Sequence, residues 1–160
     1  MTLNQLTLAD VISNVIEELA MMSAEPVKEI EDFNPTLHGW IDFTGPVSGR
    51  LSIRCRESLA QMLASNLLGV EPDNLETNAV AWDSLAELLN IICGNLVSSL
   101  YDSEKVFSLN PPQVDLINSS GTDDNTAMMV NTSEEDVQKA YIMMDTEPAE
   151  FTLTVHKTEK

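Results

Sequence analysis

The sequence predicts an α+β fold, a mainly antiparallel sheet packed with long helices. Three stretches repeat apolar residues at helical spacing, whereas others alternate apolar and polar residues. The two kinds of pattern fall in separate runs with short connections, which favours antiparallel pairing over βαβ crossovers. No composition break or internal repeat divides the chain, so its 160 residues read as one domain spanning 1–160.

Thr7 is placed to cap a first helix, with Asp10 three residues on. Leu8, Val11, Ile12, Val15, Ile16 and Leu19 then recur at helical spacing to about Met22. Pro26 is expected to end that helix, and 27–32 to form a short edge strand. Leu37, Gly39, Ile41 and Phe43 alternate with His38, Trp40 and Asp42. After Gly45-Pro46, Val47, Gly49, Leu51, Ile53 and Cys55 alternate with Ser48, Arg50, Ser52 and Arg54. This is a hairpin of two half-buried strands, with Arg50 and Arg54 on its polar face. A second helix is expected over 57–68, with Gly69 as its C-terminal cap. The third and longest runs from about 77 to 100. Strands follow at 106–109, 114–116, 126–130, 138–145 and 150–157, interrupted by Pro111-Pro112 and a polar loop at 119–125.

Charge narrows the choice of partners. Eight Lys and Arg against 26 Asp and Glu give a formal net charge of −18. Nucleic-acid binding works by cations displacing counterions, and the scattered cations here offer no patch. An anionic membrane surface is disfavoured for the same reason. The N-terminal stretch lacks the cationic start and cleavage site of a signal peptide, and no apolar run reaches roughly 18 residues. No nucleic acid, no membrane and a cytoplasmic location are the expectations.

Most familiar catalytic constellations are missing. Cys55 and Cys93 match no metal-ligand spacing and read as small buried residues. His38 and His156 stand alone in strand patterns. Asn118-Ser119-Ser120-Gly121 lacks the lysine of a phosphate-binding loop. Asp123-Asp124 reads as solvated loop, and Glu134-Glu135-Asp136 as a turn. A stand-alone acid–base enzyme would need a cluster of titratable groups that the chain does not offer.

The third helix carries the informative pattern. Leu85, Leu89, Ile92, Leu96 and Leu100 form an apolar seam that should be buried. On the face pointing away from it, Glu87, Asn90 and Gly94 lie almost in line along the axis. A mid-helix glycine costs about 1 kcal/mol relative to alanine and packs nothing itself. It is useful where another molecule must approach closely.

Glu87-x-x-Asn90-x-x-x-Gly94 on a long amphipathic helix resembles the signature of the CheC/CheX/FliY chemotaxis phosphatases. The resemblance extends to Gly45-Pro-Val-Ser-Gly49-Arg-Leu-Ser-Ile53, Leu59-Ala60 and Leu67-Leu68-Gly69 before the signature. After it come Asn110-Pro111-Pro112-Gln113-Val114 and Phe151-Thr-Leu-Thr-Val155, so the likeness covers roughly residues 40–157. It implies a CheC-like two-layer architecture and a role in two-component signalling. The implied activity is hydrolysis of the phospho-aspartate on a CheY-like response-regulator receiver domain. By the same resemblance Asn90 would orient the attacking water and Glu87 would pair with the receiver lysine. Asp83, Ile91 and Gly94 would complete the contact with the partner.

A carboxamide is too weak a base to deprotonate water, but it can hold water in line with phosphorus by accepting and donating hydrogen bonds. The receiver would supply Mg²⁺, so no metal or cofactor is expected on this chain. CheC-type members carry the signature on two helices. The first helix here offers Asn14 with Glu17 or Glu18, the wrong order. The single-site CheX type is therefore favoured, and that type implies a homodimer joined through paired sheet strands. The alternative is a non-catalytic receiver-binding or scaffolding module of the same fold, like the flagellar switch protein FliM. Steering by net charge would not help either, because receiver phosphorylation pockets are themselves acidic.

Overall fold

The computed structural model describes residues 8–69, 71, 78–100, 106–117 and 135–156. Its elements follow the order α1 (Leu8–Ala20), β1 (Ala24–Val27), β2 (Leu37–Thr44), β3 (Ser48–Cys55), α2 (Glu57–Leu68), α3 (Asn78–Leu100), β4 (Ser108–Leu109), β5 (Gln113–Leu116), β6 (Glu135–Met144) and β7 (Glu147–His156). The strands form a seven-stranded sheet in the order β1-β6-β7-β3-β2, with β4 and β5 both pairing along the free side of β2. Every pairing is antiparallel.

Period-two alternation sorts the side chains onto two faces. Leu37, Ile41 and Phe43 of β2, Leu51 and Ile53 of β3, and Phe151 and Leu153 of β7 are buried on the inner face. The three helices cover that face, with α3 against β2 and β3 and α1 against β1 and β6. Gly39 makes room for α3, since a Cβ there would lie 2.9 Å from Leu89 Cδ1. The outer face carries the polar partners: Arg50 donates to both carboxylate oxygens of Asp42 at 2.6 and 3.0 Å. Glu150 accepts from Arg54 at 3.4 Å and from Lys139 at 3.1 Å.

The hairpin and the second and third helices lie where the sequence places them, and Gly69 caps α2 in the left-handed region (φ 73°). The first edge strand does not. α1 ends at Ala20 because Met21 turns left-handed (φ 56°), and Pro26 lies inside β1 rather than ending the helix. An edge strand tolerates it, because proline lacks only the N–H that an outer edge leaves unpaired. A reciprocal pair holds this corner: Ser23 N–H donates to Asp145 Oδ1 at 3.0 Å, and Asp145 N–H to Ser23 O at 2.8 Å.

β6 begins at Glu135, so residues 135 and 136 belong to a strand and not to a turn. β7 begins at Glu147, three residues earlier than expected, and pairs with β6 through a two-residue turn. Thr7, Asp123-Asp124 and the expected strand at 126–130 lie outside the described residues. α3 is long and apolar enough to cross a membrane, but half of that stretch is buried within this fold. Its apolarity is that of a core helix.

Candidate active site

α3 is a two-sided helix. Leu85, Leu88, Leu89 and Ile92 are fully buried against the sheet and the other helices. Asp83 and Glu87 are exposed on the opposite side, and Asn90, Ile91 and Gly94 are half-buried beside them. All five expected site residues thus fall on one continuous outer strip. From Glu87 to Gly94 it runs roughly 10 Å along the axis.

Among the described residues, no hydrogen bond or ion pair engages the side chains of Asp83, Glu87 or Asn90. Asn95, one residue beyond Gly94, differs: its amide donates to Ile91 O at 2.9 Å within the same helix. Among the described residues, nothing outside the helix's own backbone lies within 4 Å of where a Gly94 Cβ would stand. Packing inside the chain therefore does not require glycine at this position. The strip presents an exposed carboxylate and a half-buried carboxamide, neither engaged by the described residues.

Other candidate groups are accounted for differently. Burial pushes both thiols up to about 12, with a further push on Cys55 from Glu147 and on Cys93 from Asp42. Thiols so held are protonated and poor nucleophiles. His38 stacks beside Trp40 on the outer sheet face, with ring centroids 4.9 Å apart. No group of three or more His, Cys, Asp or Glu converges among the described residues. On α1, Asn14, Glu17 and Glu18 are exposed, and Glu17 accepts from the N–H of Ala24 at 3.4 Å.

One pair escaped the sequence reading. Trp82 on α3 donates its indole N–H to Glu57 Oε2 on α2 at 3.2 Å. The partners are 25 residues apart in sequence, and no local pattern announces such a contact.

Three helices on one face of an antiparallel sheet, with a Glu-x-x-Asn pair on the outer side of α3, give the architecture of a CheC-like protein. The sequence matches the family described as "Chemotaxis phosphatase CheX" over residues 37–128. The chain belongs to the CheX family and is a phosphatase of that kind.

Solved structures agree in fold. CheX from Borrelia burgdorferi, in a complex with CheY, BeF3 and Mg²⁺, is 22% identical, with a TM-score of 0.67 over 93% of this chain and 95% of its own. CheX from Desulfovibrio desulfuricans is 15% identical, with a TM-score of 0.68 over 93% and 96%. The middle domain of FliM from Vibrio alginolyticus is more distant, 18% identical with a TM-score of 0.55 over 96% and 90%. No curated protein matches the sequence significantly.

Proposed function

We propose that this phosphatase hydrolyses the phospho-aspartate of a CheY-like receiver domain, with Asn90 orienting the attacking water and Glu87 pairing with the receiver's active-site lysine. The observation that carries this reading is Glu87 and Asn90, uncommitted among the described residues, beside a Gly94 whose added Cβ would meet none of them. The Asn90 amide oxygen can accept a hydrogen bond from water and its N–H can donate one to a phosphoryl oxygen, so it acts by position and not by basicity. Glutamine does comparable work in GTPases. Glu87 would draw the lysine into an ion pair across the interface, fixing the register of docking. Ile91 and Asp83 extend the contact. The receiver would bring its own Mg²⁺ to neutralise phosphoryl charge. That the Borrelia relative was crystallised with CheY and Mg²⁺ supports the choice of partner. A receiver substrate places the protein in the cytoplasm, and signalling in chemotaxis is the accompanying role.

The test is decay of a phosphorylated CheY-like receiver with wild type, Asn90→Ala and Glu87→Ala. Wild type should accelerate decay. Asn90→Ala should bind yet lose ~10²-fold in turnover, the scale expected when a positioned group is lost. Glu87→Ala should weaken binding. If wild type binds the receiver and leaves its decay unchanged, the module is a docking protein of the FliM type.

The homodimer joined through sheet strands is part of the same proposal. Both sheet sides end in short strands, β1 on one and β4 with β5 on the other, which leaves backbone groups for pairing. Sedimentation showing only monomer across micromolar concentrations would remove it.

A further inference from the structure

The outer strip of α3 does not end at Asp83. Trp82, Ala86 and Asn90 follow one another at i, i+4 and i+8, a single ridge that flanks the strip on the side of α2. All three are half-buried. Trp82 leans on the core beneath it, and its indole N–H is held by Glu57 of α2 at 3.2 Å. Ala86 is the only small side chain on this ridge. It stands between the indole and the Asn90 carboxamide, with Asp83 and Glu87 exposed beside it. Trp82 stands about 12 Å from Asn90 along the axis. That distance is well within the footprint of one docked domain, since standard interfaces involve roughly 20–30 residues a side.

We infer that Trp82 is a docking residue for the receiver and Glu57 its positioning residue, the two forming a fixed wall at the N-terminal end of the catalytic strip. This rests on the proposed receiver substrate and adds to it a determinant of affinity separate from the chemistry. Three observations carry it. An aromatic side chain adjoins the strip without being fully buried. Its one polar group is already satisfied, so no hydrogen bond need be broken when a partner covers the ring. Its orientation is set by a neighbouring helix, so little freedom is lost on binding, which is how anchor tryptophans contribute disproportionately to interfaces. The wall acts on association and leaves the water at Asn90 untouched.

Trp40 and Trp82 are the chain's two tryptophans, and Trp40 lies on the outer sheet face beside Arg50, 5.4 Å from its guanidinium. Trp40→Phe therefore leaves Trp82 as a single reporter on the opposite side of the molecule. Adding Asn90→Ala preserves the phosphoryl group during a titration. In that double variant, phosphorylated receiver should shift and saturate Trp82 emission.

In the otherwise wild-type enzyme, Trp82→Ala should raise KM for the phosphorylated receiver by tenfold or more at nearly unchanged kcat. Glu57→Ala should raise KM severalfold. Glu57→Gln, which keeps an acceptor for the indole, should restore it. Unchanged emission, together with wild-type KM in Trp82→Ala, overturns the inference while active wild type keeps the phosphatase reading. A kcat loss in Trp82→Ala that matches its KM change also overturns it, because the tryptophan would then be supporting the site and not the docking. A wild type inactive on any receiver removes the underlying reading, and this inference with it.

Discussion

The outer face of the sheet and the outer strip of α3 are two polar surfaces built on opposite rules. On the sheet the charges are answered within the chain. Asp42 holds Arg50, and Glu150, whose side chain is only 9% exposed, is shared by Arg54 and Lys139. On α3 the side chains of Asp83, Glu87 and Asn90 have no such partner among the described residues. The glycines repeat the contrast. A Cβ at Gly49 would run into Thr154 O and Phe43, whereas one at Gly94 would meet none of the described residues. Polar residues committed to their own chain maintain a fold; polar residues left uncommitted in an ordered helix are available to another molecule.

The sharpest way to break this comparison is Gly94→Phe. A Cβ there meets none of the described residues, so folding should hold, but on the proposed docking mode the ring would stand where the receiver approaches. KM for the phosphorylated receiver should rise more than tenfold, while urea unfolding shows no loss and Gly94→Ala gains about 1 kcal/mol from helix propensity. An active Gly94→Phe enzyme would mean that the partner docks elsewhere.

The converse substitution is Glu150→Gln on the sheet. It removes a charge held by two cations, and it should cost about 1–2 kcal/mol in urea unfolding without changing dephosphorylation. The cations it releases, Arg54 and Lys139, are about half exposed and can return to water.

The smallest effect concerns the buried thiols. Their pKa values stand near 12 in the fold against an ordinary 9.0, so folding opposes their ionisation. Their contribution to stability is complete below pH 9 and is lost as pH rises towards 12. The urea midpoint of wild type should fall between pH 8 and pH 10.5. Cys93→Ala should show a shallower fall over the same range.

What could be read from the sequence depended on whether a local pattern carried the information. The β2–β3 hairpin shows strict alternation around Gly45-Pro46, and α2 ends at a glycine that adopts the left-handed cap, so both were legible to within a residue or so. β1 was not. Its helix is stopped by a left-handed methionine, which no rule of composition marks, and Pro26 is a stronger signal for the wrong event.

The start of β6 was missed for a different reason. Asp136 and Gln138 occupy inner-face positions, yet both are exposed, so the alternation that identifies a half-buried strand is absent there. The strip on α3 was legible because helical geometry alone aligns positions 87, 90 and 94. Glu57 and Trp82 meet only through tertiary packing, and no spacing rule could have joined them.

The position of α3 has a consequence for how the enzyme can be controlled. The backbone beneath Glu87 and Asn90 is the helix that contacts α1, α2, β2 and β3, with its leucines fully enclosed. Its central amides should exchange with solvent only when the whole domain opens, in contrast to sites carried on loops. A site so carried, as proposed for this strip, is ready before any partner arrives and is not silenced by local melting. On the proposed reading, whatever turns this phosphatase off must cover the strip or withhold the receiver.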